Sequence, residues 1–64
     1  MTDEIKQAIE LILNNNDYGS AERLKGLVSP YGAPTNHSCF CKDANKIDYF
    51  NRVKVWYNTN YPNA

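Results

Sequence analysis

The chain has no surplus of charge, no long apolar run and few side chains that could perform chemistry. Seven basic residues cancel seven acidic ones. A general nucleic-acid binder carries a clear basic excess, so that class is disfavoured. No apolar run approaches the ~18 residues that a membrane span needs. The opening MTDEIKQ has neither the basic region nor the cleavage signal of a secretory peptide. These absences point to a cytoplasmic setting, in which cysteines are expected to stay reduced. There are only two cysteines and one histidine in 64 residues.

Length sets a further limit. A chain this short forms a single domain, 1–64, that buries roughly 60% of its unfolded surface. Without a staple, a metal or a partner, such a core supplies no more than about 3 to 5 kcal/mol. Self-association or docking onto something larger is therefore expected. The charges are unevenly placed. Residues 1–36 carry Asp3, Glu4, Glu10, Asp17 and Glu22 against Lys6, Arg23 and Lys25, a net of −2. Residues 37–64 carry Lys42, Lys46, Arg52 and Lys54 against Asp43 and Asp48, a net of +2. This mild dipole is read as solvated surface before it is read as a docking signal.

The apolar pattern predicts helices. Ile5, Ala8, Ile9, Ile12 and Leu13 repeat with the period of one helical face. Thr2 is a candidate N-cap, Asp3 and Glu4 suit the first turn, and the asparagines at 14–16 end the helix. A second, shorter helix is expected over Asp17–Val28, capped by Asp17 or Ser20, with Ala21, Leu24, Leu27 and Val28 on its apolar face. SPYGAP, 29–34, stops it. TNHSCFC, 35–41, reads as an extended connector with His37, Cys39 and Cys41 on one side and Phe40 on the other. A third helix is expected from Asp43 or Asn45, with Tyr49, Phe50, Val53, Trp56 and Tyr57 on one face. VKVWY also suits a strand, and the continuous face back to Lys46 favours helix. The expected fold is all-α, a small three-helix domain with a Pro/Gly-rich extended connector before the last helix.

Two stretches bear on chemistry. His37, Cys39 and Cys41 are zinc-type ligands, but C-x-C is tighter than the usual C-x₂₋₄-C, and a fourth ligand would have to come from Asp43, water or another subunit. A Cys39–Cys41 disulfide would close a very small ring, and redox catalysts more often carry C-x-x-C at a helix start. A Cys/His nucleophile pair would still need an orienting group, an oxyanion hole and a pocket. The simplest expectation is that both thiols pack as small hydrophobes under the aromatic helix. No enzyme activity and no cofactor are expected. The second stretch is the last helix, which could bind nucleic acid: Lys42, Lys46, Arg52 and Lys54 would contact phosphates and Tyr49 or Tyr57 would stack on bases, and Lys46, Arg52, Lys54, Tyr49 and Tyr57 are the candidate interaction residues. Against this stands the plainer arrangement of aromatics inward and lysines solvated.

Leu24, Leu27, Cys39, Cys41, Tyr49, Phe50, Arg52 and Trp56 form a layout of helical front, Pro/Gly/Asn break, C-x-C and basic-aromatic closing helix. From Leu24 to Tyr57 it resembles small uncharacterised proteins encoded by bacteriophages and prophages of Bacteroidota. The resemblance implies a phage context, in the virion or the bacterial host cytoplasm. The expected function is a non-enzymatic structural or assembly protein, either a minor virion component or an accessory interaction protein. Its partners would be proteins, through self-association or a larger phage assembly, with nucleic acid less favoured and no membrane. The alternative is a soluble inhibitor of a host defence system, or a small nucleic-acid-associated regulator, acting through a basic face of the last helix.

Overall fold

A computed structural model describes residues 1–35 and 39–62. Among these the chain forms three α-helices and no strand: α1 (Asp3–Asn14), α2 (Ala21–Val28) and α3 (Asp43–Asn60). The fold is a small all-α three-helix domain. One-turn 3₁₀ segments, Tyr18–Ser20 and Ser29–Tyr31, flank α2. No described helix is long and apolar enough to cross a membrane.

The start of α1 follows its sequence signals. Thr2 Oγ1 accepts the Ile5 amide at 3.3 Å, and Asp3 and Glu4 occupy the first turn, where the helix dipole favours negative charge. Its end closes on asparagine. The Asp17 amide donates to Ile12 O at 3.1 Å and the Asn16 amide to Leu13 O at 3.2 Å, with Asn16 left-handed at φ 50°. This paired closure satisfies carbonyls that the helix end would otherwise leave open, and Asn is the residue after Gly that best tolerates the geometry.

The expected helix over 17–28 divides in two. Residues 18–20 wind as a 3₁₀ turn, Ser20 Oγ donates to Asp17 Oδ2 at 2.7 Å, and neither Asp17 nor Ser20 caps the helix through its side chain. After α2, Pro30 tightens the chain into the second 3₁₀ turn, and Gly32 at φ 79° ends it. A left-handed residue at that point suits glycine.

The core joins the aliphatic stripe of α1 to the aromatic stripe of α3. Ile9, Ile12 and Leu13 meet Ala21, Leu24 and Val28 of α2 and Tyr49, Phe50, Val53 and Tyr57 of α3. Phe50 is fully buried, and the Tyr18 ring meets it edge-on at 4.8 Å between centroids. Trp56 packs half-buried at one edge beside Tyr57 and Tyr61. Each enclosed aromatic removes about 150–250 Å² from water, so α3 supplies most of the hydrophobic gain. The helix reading of VKVWY holds.

Candidate functional site

The five candidate interaction residues of α3 are spread around the helix and differ in exposure. Tyr49 and Tyr57 are core side chains, 1% and 4% exposed. Neither ring can stack on a ligand, and that expectation is corrected: the rings are the largest apolar surfaces available to a core this small. The cations diverge as well. At about 100° per residue, Arg52 and Lys54 lie roughly 160° apart, on opposite flanks of the buried stripe, and Lys46 lies along the stripe itself. Each has a partner within the domain. Arg52 donates to Thr35 O at 2.9 Å and lies 3.8 Å from Asp48. Lys54 donates to Asn16 Oδ1 at 2.6 Å, across from the closure of α1. Lys46 lies 3.8 Å from Asp43. Arg52 and Lys54 therefore brace α3 to the connector and to the α1 turn.

The cysteine corner is inverted relative to expectation. Phe40 and the two cysteines are separated as expected, but the half-buried Phe40 faces the core, both cysteines are exposed, and residues 40–41 form a turn where an extended connector was expected. The Phe40 ring meets Tyr49 at 5.3 Å between centroids. A phenyl ring gains more from burial than a thiol does, and only one side of this short turn can face α3. Cys39 and Cys41 are joined to each other by a disulfide, against the expectation of reduced, buried thiols. His37 lies outside the described residues. Among the described residues no three of His, Cys, Asp and Glu converge as a metal site.

A cleft opens between α1 and α3, with a volume of about 310 Å³. Glu10, Leu13 and Asn14 line one wall, and Lys54, Tyr57 and Asn58 the other. Burial raises the Tyr57 hydroxyl above the usual 10.0, and the charge of Glu10 raises it further. The hydroxyl is buried and has no partner at hydrogen-bond geometry among the described residues. Among the described residues the Tyr49 hydroxyl is likewise without a partner. Burial raises its pKa too, and the nearby Arg52 charge opposes the rise. The cleft holds one acid and one cation, and the cation is already engaged by Asn16.

The other feature is the outward side of α3. Ala44, Ile47, Asn51, Val55 and Asn58 are all exposed and fall within a sector of roughly 80°. Ile47 is 40% and Val55 68% exposed. The spacing of 3, 4, 4 and 3 residues is close to the heptad seam that two helices bury against each other. This stripe was missed because the aromatic stripe on the same helix dominates the pattern. Its signal was available in the sequence, as a second apolar period offset from the first.

No protein family, no curated protein and no solved structure matches this chain. Its functional reading therefore rests on its own residues.

Proposed function

We propose that the protein is a non-enzymatic structural or assembly protein that works by pairing with further copies of itself, within a phage assembly. The observation that carries this reading is the second apolar stripe of α3. One face of the helix fills the core through Tyr49, Phe50, Val53 and Tyr57, and the other presents Ile47 and Val55 to solvent. Single exposed apolar residues are ordinary on a protein surface. Here the two share a helical face with Ala44, and Asn51 stands between them. Asn58 closes the same face, so two of its five positions are asparagine, and an asparagine within an apolar seam sets register and strand number at some cost in stability. A second copy of α3 offers the matching pattern. The phage setting is supported by the sequence resemblance alone.

The divergence of Lys46, Arg52 and Lys54 gives no support to a regulator that acts through a basic face. The seam is short, about 21 Å from Ala44 to Asn58 at the helical rise, so association is expected to be weak and concentration-dependent.

Sedimentation velocity over a concentration series tests the reading. The expected result is a rise in mean mass with concentration that Val55→Glu abolishes and Asn51→Leu strengthens, with helical content unchanged in both variants. A protein that remains a sharply melting monomer up to high micromolar concentration overturns it.

A further inference from the structure

The Cys39–Cys41 pair precedes α3 and lies outside the stripe from Ala44 to Asn58. We propose that it is a thiol–disulfide exchange site for a low-molecular-weight thiol–disulfide couple. Three observations carry this. Both cysteines are exposed, so an external sulfur can reach either one. Their Cα atoms lie 5.3 Å apart, within the ordinary span of a disulfide, so the main chain already holds the two sulfurs together. The turn is also anchored from behind. Asn45 Nδ2 donates to Cys39 O at 2.8 Å, and Phe40, between the two cysteines, is seated on Tyr49. The sulfurs thus stand on a fixed knuckle immediately before α3.

The hydrogen bonding distinguishes the two sulfurs. The Cys41 amide donates to Cys39 Sγ at 3.2 Å. A donor aimed at sulfur favours its thiolate, which makes Cys39 the better leaving group and Cys41 the sulfur attacked. In the reductive direction an external thiolate attacks Cys41 Sγ. The Cys39–Cys41 bond breaks, its electron pair goes to Cys39 Sγ, and a mixed disulfide forms at Cys41. A second external thiolate attacks the external sulfur of that mixed disulfide and releases Cys41 as a thiolate. The two protein thiolates take up the two protons that the external thiols gave up. The protein disulfide gains two electrons and two protons, and two external thiols become one external disulfide. The reverse sequence oxidises the pair.

The test uses the full chain equilibrated in glutathione buffers of graded ratio, quenched with acid, alkylated and weighed intact. The expected result is a single conversion between no alkyl groups and two, with no lasting glutathione adduct. In Cys39→Ser the adduct at Cys41 has no internal thiol to resolve it, and it accumulates. Val55→Glu should give the same conversion as the unmodified chain, which keeps this result separate from the pairing of α3. The proposal is overturned by cysteines that react independently, by a glutathione adduct that persists in the full chain, or by a pair that keeps one state across the whole series.

Discussion

The helices α1 and α3 solve the burial problem differently. In α1 the apolar residues gather on one side, and Ile9, Ile12 and Leu13 are enclosed by α2 and α3. Only Leu11, 64% exposed, departs from that stripe. In α3 they fall on two sides, and the chain supplies a partner for one of them. A helix whose apolar residues surround its axis is ordinarily buried all round. The first helix is complete within its own domain, and the last carries surface that a single copy leaves in water.

The contrast between the two faces of α3 is broken most strongly at its centre. Phe50→Ala removes a fully buried ring, and a change of this kind costs about 3–5 kcal/mol. That matches the whole stability expected of a core this size, so the variant should show no cooperative urea transition by circular dichroism. Val55→Ala, five residues on and facing outward, should shift the same transition by no more than about 0.5 kcal/mol. Equal effects at the two positions would erase the distinction between the faces.

The buried tyrosines sharpen it further. Burial raises the Tyr49 and Tyr57 hydroxyls above 10.0. A raised folded-state pKa means that the native protein holds the phenolic proton more tightly than the unfolded chain does. That stability is present in full below about pH 10 and is lost as pH rises through the folded values. The urea midpoint should therefore fall above pH 10, and less steeply in the Tyr49→Phe, Tyr57→Phe double variant. At neutral pH each replacement removes a hydroxyl that has no partner among the described residues and should be neutral or stabilising, by about 1 kcal/mol at most. The braces are also expected to contribute little. Lys54→Ala and Arg52→Ala act on exposed contacts and should each cost less than about 1 kcal/mol. A larger loss would mean that α3 depends on these contacts more than on its core.

Much of this architecture was legible in the residues. The α1 stripe, the Thr2 cap and the inward set Tyr49, Phe50, Val53 and Tyr57 all follow from helical periodicity, because a long amphipathic pattern admits few alternatives. The division at Ser20 was not legible, since one turn of 3₁₀ helix shares its composition with the α-helix that follows it. Nor was the orientation of the cysteine corner. Alternation correctly separates Phe40 from the two cysteines, but only packing against Tyr49 decides which side turns inward. Lys46, Arg52 and Lys54 are close in sequence but not around the helix. Their angular positions were computable, but the contacts of Arg52 with Thr35 and of Lys54 with Asn16 depend on the tertiary fold.

The edge-on contact between Tyr18 and Phe50 has a consequence for the order of assembly. It joins residues far apart in sequence, across the connector, whereas α1 and α2 are linked by a turn of a few residues. Local contacts cost less loop-closure entropy and form first. The front hairpin is therefore the expected nucleus, with the Tyr18 ring uncovered until α3 arrives, and unfolding should begin when α3 peels away from it.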